Sequence, residues 1–392
     1  MKRILITAGS HSEIPLIRAA KEMGYYVIST GTDKDGLGHK ESDEYIHGDF
    51  SDKEFVYTIA KTNNIEAIVS GCNDFAYLSA AYACERLGLP GHDTYSNAEI
   101  IHHKDKFRSL TQSLGIKTPQ VFKCASKAET RKIADKVTFP VLVKPVDLTG
   151  GKGVCVCNSS EELLNSFNVA MSVTRKPYVI IEEYVTGTNH GASVLLKDKK
   201  VVFYVFDDEQ YFQNKYLVQG ASIPSDTVSE AGIFTLMCDI EKVAQKLSLV
   251  DGLFHVQFIV DKTGYPVMID PCRRAPGDLY ILLAKYTTGV DYPKEIVKAE
   301  CGLALNNVYS QSHNFVSRQC IMSEKNGIIK TISISDSLNR YIKQQMLWGK
   351  TGDEVSDFMK YKAGILFLQF PDFTTMQDIL ADFHQLVKIE IK

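Results

Sequence analysis

Residues 1–95 alternate strand and helix signals, and this alternation narrows the possible folds more than any other feature of the chain. KRILITAG is an apolar strand that ends in glycine, and IPLIRAAKEMG spaces its apolar residues as a helix does. YYVIST and EAIVSG repeat the strand pattern. FVYTIAKTNN and AYLSAAYACERLG repeat the helix, the second closed by Gly88. Strand–helix–strand order of this kind feeds right-handed crossovers, so it predicts a mostly parallel sheet with helices on both faces. A dinucleotide domain is one use of such a sheet, but the first turn, AGSHSEIP, lacks G-x-G-x-x-G. Asp33 stands where a ribose-binding acid would, yet in GTDKDG it reads as a turn residue.

After Gly115 the pattern becomes α+β. Pro119 opens a strand, FPVLVKP is another, SSEELLNSFNVAM is a helix capped near Ser160, and YVIIEEYV is a third strand. SVLLKDKKVVFYVF predicts a hairpin turning at Asp198, and SEAGIFTLMCDIEKVAQKLSL a long helix. LFHVQFIVDKTGYPVMIDP reads as two strands joined at DKTG. From about residue 305 short strands dominate, with a last helix, TMQDILADFHQLV, and a last strand, KIEIK. The expected division is 1–95, 96–304 and 305–392, with a lid lobe at about 115–184.

A length of 392 residues suits two or three domains. The formal charge of −3 and the absence of a basic block argue against nucleic acid and anionic membrane as partners. No apolar stretch approaches the ~20 residues of a membrane helix. MKRILITAG runs straight into a glycine turn, without the layout of a signal peptide. Nine cysteines at irregular spacing read as the reduced thiols of a cytoplasmic protein. Cys155 and Cys157 form C-x-C on a strand with no second pair nearby, which favours packing over zinc.

The stretch KPVDLTGGKGV carries the first chemical signal. Its glycines, Gly150, Gly151 and Gly153, free the backbone to bring N–H groups toward phosphate oxygens, and Lys144 and Lys152 flank them. A glycine-rich hairpin turn explains the stretch equally well, and it is not a Walker A loop. IIEEYVTG then places Glu182 and Glu183 on opposite faces at the end of an apolar strand, so at least one of them must meet something specific or be expelled to solvent. HVQFIV and VMIDPCRR read as paired strands ending in Gln257 and Asp270, with Cys272 two residues on. Oxygen ligands from adjacent strands are suited to holding magnesium against triphosphate oxygens, and Arg273 and Arg274 suit an anionic intermediate. Plainer readings stand beside these. Asp270 caps a turn at Pro271, Cys272 belongs to the core, and the two arginines are surface cations. His102 and His103 read as the solvated start of a helix. His255, facing the same way as Gln257, is an interior histidine or lines a substrate pocket. No Ser-His-Asp or Cys-His set is evident.

In their order, KDKF, FPVLVKP, GGKGV, EEYV, HVQF and IDPCRR are far more specific than any one alone. Over most of its length the chain resembles the ATP-grasp superfamily, whose members include biotin carboxylase, carbamoyl-phosphate synthetase and amino-acid ligases. The resemblance implies a Rossmann-like preATP-grasp domain at 1–95, a two-lobed ATP-grasp domain at 96–304, and an α+β segment at 305–392 that completes the fold. It implies that Lys106 and Lys144 contact ATP phosphates under a flap formed by Thr149, Gly150, Gly151, Lys152 and Gly153. The backbone of Glu182, Glu183, Tyr184 and Val185 would read the adenine edge, with His190 near the nucleotide; Ala192 stands where relatives place a further acid. Gln257 and Asp270 match the positions that hold Mg2+ or Mn2+. Cys272 stands where most relatives have asparagine, and a thiol is a poor magnesium ligand, so coordination there falls to water or a second metal binds weakly. Arg274, with Arg273 beside it, aligns with the arginine that stabilises the transferring phosphoryl group.

The chemistry implied is an ATP-dependent, ADP-forming carboxylate–amine ligase that works through an acylphosphate. Its substrate would be a small metabolite such as an amino acid or a sugar-linked acid. IPSDTVSEAGIF followed by DGLFHVQF is similar to the layout of amino-acid ligases, and there is no biotin-carrier segment or amidotransferase half. Lys215, in FDDEQYFQNKY, and His255 are the candidate substrate contacts. Two rival readings are a purine-pathway-like ligase using formate or bicarbonate, and a nucleotide-binding protein that has lost catalysis. Dimers are common among relatives, so the resemblance implies a homodimer.

Overall fold

In a computed structural model the protein is described at residues 2–148, 153–213, 217–306 and 314–392. The N-terminal sheet has the order Glu44–His47, Tyr26–Gly31, Arg3–Thr7, Ala67–Ser70, and every pairing is parallel. Its central strands are apolar on both faces because both are covered. Ile4 and Ile6 pack on the side of helix Ile14–Glu22 with Leu16 and Ile17. The alternate residue Leu5 packs on the side of Lys53–Thr62 and Asp74–Leu87, with Val56 and Ala80. Gly88 closes the last of these helices in the left-handed region, φ 67°, as its position in the sequence predicts. The short strand Glu44–His47 has no clear apolar alternation and escapes the sequence reading.

A second sheet is antiparallel, in the order Val121–Cys124, Val179–Glu183, Val141–Pro145, Cys155–Cys157. Helices Lys127–Ala134 and Ser160–Val173 cover one face, the latter capped by Ser159. Cys157 is buried in that core, and all nine cysteines are free thiols.

The third sheet has eight strands, every pairing antiparallel. Its order is Pro266–Cys272, Gly252–Asp261, Gly187–Lys197, Lys200–Tyr211, Val218–Ile223, Phe315–Met322, Lys362–Phe370, Ile342–Leu347. The hairpin turns at Asp198 and Lys199, both at positive φ, a geometry matched to strand twist. Helix Glu230–Leu247 covers one face, over Val194, Phe254 and Val256. Helices Tyr280–Thr288 and Tyr292–Glu300 pack between the other face and the N-terminal sheet, in one continuous core that includes Ile6, Leu283, Cys320 and Phe367. The first of these helices carries apolar and aromatic residues on nearly every side, so it shows no helical period, although Leu282, Lys285 and Tyr286 are only partly buried. A three-stranded sheet, Glu354–Val355, Gly327–Ile334 and Val387–Ile391, closes the C-terminal end. Among the described residues no helix is long and apolar enough to cross a membrane.

Glu300 fastens the helix Tyr292–Glu300 to the N-terminal sheet. Its carboxyl takes the Ser70 backbone N–H at 2.6 Å and meets the Ser70 hydroxyl at 2.7 Å. Burial pushes this carboxyl up to about 8. It is therefore protonated in the fold at pH values where the unfolded chain has already ionised it, and its own contribution to stability falls as pH rises from 4.5 to about 8. Glu300→Gln should therefore gain in melting temperature relative to the parent as pH rises through this window; a difference that does not change with pH would show that the carboxyl is ionised in the fold.

Candidate functional site

A cavity of about 520 Å³ lies between the four-stranded and eight-stranded sheets. It is lined by Lys104, Lys144, Glu182, Tyr184, Val185, Gln257 and Asp270, among others. Leu142, Ile259 and Ile269 supply apolar walls, and Glu183 to Gly187, the crossing from one sheet to the other, forms one end. Strands Val141–Pro145 and Cys155–Cys157, which flank KPVDLTGGKGV, pair antiparallel, and Leu148 and Val154 line the cavity. Gly153 sits at φ 71°, where a Cβ would stand 2.7 Å from Val173 Cγ2. Thr149, Gly150, Gly151 and Lys152 lie outside the described residues, as does Lys215.

At the cavity wall lies a buried triad of charge. Glu182 is ion-paired both to Lys144 and, at 2.6 Å, to Arg108; their side chains are 1%, 7% and 0% exposed. Arg108 also donates to the Ile269 carbonyl at 2.6 Å. Burial would raise the Glu182 carboxyl, but Arg108 and Lys144 outweigh it and hold it down at about 2. Lys144 shifts the other way. Burial depresses its ammonium, and Glu182, shared with Arg108, does not restore it. Two cations on one carboxylate leave a net positive charge at the cavity wall, a setting that favours an anion.

Lys104, not Lys106, reaches the cavity. Its Nζ bonds the Leu148 carbonyl at 2.9 Å and Asp270 Oδ1 at 3.1 Å, tying Leu148 to the large sheet. The reason is helical phase: in Lys104–Ser113, residues 104 and 108 share a face and 106 is turned away. Lys106 pairs instead with Glu99 at 2.9 Å, its side chain 39% exposed. His102 and His103 are buried, not solvated. His102 lies 3.2 Å from Asp74, and His103 Nδ1 lies 2.9 Å from the Glu99 carbonyl oxygen.

Five other candidate residues do not line the cavity, and all but Arg274 are buried. His190 is on the opposite face of the large sheet, packed on Phe258 and bonded to Asp208 and Thr188, because strand residues alternate. Arg273 is no surface cation. It is buried against Asp93 at 2.9 Å and donates to the carbonyls of Val250 and Leu253. Arg274 is held by Asp74 at 2.9 Å. Cys272 is buried with its thiol pushed up to about 12 by burial, and it does not line the cavity. His255 is interior: burial pushes it down to about 3, its ring stands edge-on to Tyr280, and its Nδ1 has no hydrogen-bond partner. Glu209, Asp278 and Lys362 line the cavity without having stood out in the sequence. Asp278 pairs with Lys362 at 2.5 Å and with His11 at 3.5 Å, and His11 stacks on Trp348. Partners brought together across 84 residues or more leave no local pattern to read.

The family description "carbamoyl-phosphate synthase L chain, ATP binding domain" matches residues 103–308, more than half of the chain. The chain belongs to this family. Among curated members, the arginine-specific carbamoyl phosphate synthase large chain of Bacillus subtilis is 24% identical over 214 residues, 53% of this chain and 20% of that one. The large chain of Pyrococcus furiosus is 28% identical over 215 residues, 54% and 20% of the two chains. Matches to these carbamoyl-phosphate synthase relatives thus span about a fifth of their length. Among solved structures, the L-amino acid ligase of Bacillus licheniformis superposes with a TM-score of 0.85 at 16% identity, covering 100% and 99% of the two chains. Phosphoribosylglycinamide synthetase of Anaerococcus prevotii gives 0.80 at 22%, over 100% of both. The biotin carboxylase domain dimer of Hydrogenobacter thermophilus 2-oxoglutarate carboxylase, in complex with MgADP, ADP and bicarbonate, gives 0.78 at 20%, over 99% and 90%. By family and by fold, the ATP-binding unit of this carbamoyl-phosphate synthase family is an ATP-grasp protein.

Proposed function

We propose that the chain is an ATP-dependent carboxylate–amine ligase, releasing ADP and phosphate, whose nucleotide occupies the 520 Å³ cavity. One observation supports the reading: Lys104, bonded to Asp270, and the surplus charge of the Arg108–Glu182–Lys144 triad meet Asp270 and Gln257 at one cavity, in a member of an ATP-binding family. The apolar walls from Leu142, Val185 and Ile259 suit a purine, and the backbone from Glu182 to Val185 suits its polar edge. Lys104 and Lys144 then take phosphate oxygens, under the lid that Thr149 to Gly153 would form.

The donors at the cavity are oxygens, Asp270 carboxylate and Gln257 amide, and they fit Mg2+ or Mn2+; the Cys272 thiol does not. Bound there, the cation would neutralise charge on the transferring phosphoryl group. A substrate carboxylate oxygen attacks the γ-phosphorus and ADP leaves. An amine then attacks the acyl carbon, phosphate leaves, and the nitrogen loses a proton. Arg274, steadied by Asp74, is the candidate for the charge on the acylphosphate. The substrate is proposed to be a small acid such as an amino acid or a sugar-linked acid, and a homodimer is proposed on the dimer of the H. thermophilus domain.

The test is phosphate release with ATP over amino acids, small acids including formate and bicarbonate, and amines. Turnover that needs both an acid and an amine supports the ligase. Turnover with formate or bicarbonate alone favours the purine-pathway-like rival, and ATP binding without turnover for any pair would sink the ligase reading. Within the site, Lys104→Ala should weaken binding of a non-hydrolysable ATP analogue about tenfold. Lys106→Ala should leave it unchanged, and equal losses would refute the placement of Lys104.

A further inference from the structure

The carboxylates around the cavity fall into two groups. Glu182, Asp270 and Asp278 each have a lysine or arginine partner. Glu209, Asp207 and the solvent-exposed Glu183 have none within ion-pair distance among the described residues. Glu209 accepts hydrogen bonds from Gln257 Nε2 at 2.6 Å and from the Tyr211 hydroxyl. Asp207 accepts from the Gly191 backbone N–H at 3.0 Å and from the Tyr280 hydroxyl. Two carboxylates on one face of a strand, largely removed from water and met by neutral donors, are costly unless positive charge arrives from elsewhere. Of the two, Glu209 lines the cavity.

The strands place Glu209 where that charge would sit. Gly187–Lys197 runs between Glu209's strand and Gln257's, and Gly191 pairs with Gln257 on one side and Asp207 on the other. A Cβ at Gly191 would stand 2.4 Å from Asp207 Oδ2, so the bare backbone is what keeps this patch of sheet open to the acids on its neighbour. With its nitrogen given to Glu209, the Gln257 amide has Oε1 left as the atom able to meet a cation. On the two strands that carry Gln257 and Asp270, Asp270 is the one acid that lines the cavity, since Gln257 is neutral and Cys272 does not line it.

We propose that Glu209 is the second charged ligand of the divalent cation, completing with Asp270 and Gln257 Oε1 a set whose charge Gln257 and Cys272 do not supply. This rests on the nucleotide reading of the cavity. Phosphate oxygens and water fill the remaining positions, as is usual when magnesium arrives on a nucleotide. A group of three or more acids, histidines or cysteines close enough to bind metal unaided is absent among the described residues, which agrees with a cation held only together with its nucleotide.

The experiment titrates Mn2+ by the loss of its free EPR signal, using the full chain saturated with a non-hydrolysable ATP analogue. Glu209→Gln keeps an acceptor for the Gln257 amide and removes the charge. It should weaken Mn2+ binding about tenfold or more while metal-free analogue binding is unchanged. Glu209→Asp should fall between, which guards against a folding defect in the first variant. Cys272→Ser should match the parent. Parent-like Mn2+ affinity in Glu209→Gln, or a loss in Cys272→Ser equal to that of Glu209→Gln, would overturn the assignment of Glu209 alone. A parent chain that binds the analogue but adds no Mn2+ affinity would overturn the metal site as a whole. Failure to bind the analogue at all would overturn the nucleotide reading, and this proposal with it.

Discussion

Lys144→Met is expected to weaken nucleotide binding by about tenfold to a hundredfold and to abolish phosphate release, with the fold retained. A charge-assisted hydrogen bond contributes about 1.5–3 kcal/mol, and about 1.4 kcal/mol is a factor of ten in affinity. The fold should survive because Glu182 keeps Arg108 at 2.6 Å, so no buried carboxylate is left alone. The loss in binding should be large because burial already disfavours the Lys144 ammonium, and a phosphate oxygen is the partner that would stabilise it. Titration with a fluorescent ATP analogue, beside a thermal melt, separates the two effects. Parent-like affinity in a folded variant would remove Lys144 from the nucleotide site.

Arg273→Met is expected to have the converse effect, a loss of about 3–5 kcal/mol in stability, because it strands Asp93 in the interior. Arg273 and Asp93 are 2% and 0% exposed, and Asp93 also takes the Tyr77 hydroxyl at 2.8 Å and the Val250 N–H at 2.9 Å. These bonds join the loop before helix Tyr95–His102 to strand Gly252–Asp261, so their loss spreads beyond one contact. Arg274→Met removes a partner from Asp74 but leaves His102 near it, and should cost much less. Denaturant unfolding of the two variants decides the matter. A parent-like midpoint for Arg273→Met would return that residue to the list of catalytic candidates.

The strands and helices that bury one face were legible because burial of one face imposes a period. The hairpin at Asp198, the long helix Glu230–Leu247 and the parallel order of the N-terminal strands all follow from such patterns. Helix Tyr280–Thr288, with apolar and aromatic residues on nearly every side, carries no period and was not legible. Within the site, motif order identified Lys144, Gln257 and Asp270, and each lines the cavity. It chose Lys106 over Lys104 because a string of letters does not show which face of a helix each letter occupies, and two residues of offset turn a side chain to the far side. The same blindness to facing grouped His190 with residues of the cavity, although strand alternation turns it to the other face of the sheet.

The sequence by itself therefore determined the family, the order of most elements and the kinds of charged and polar groups available to a site, since these depend on local patterns and on their order along the chain. Only the tertiary structure decided which donors converge and how charge is shared among them. Arg108 meets Glu182 across 74 residues, Glu209 meets Gln257 across 48, and Lys104 meets Asp270 across 166. Electrostatics falls off with distance in space and takes no account of separation along the chain, so these pairings become visible only when the strands are in register.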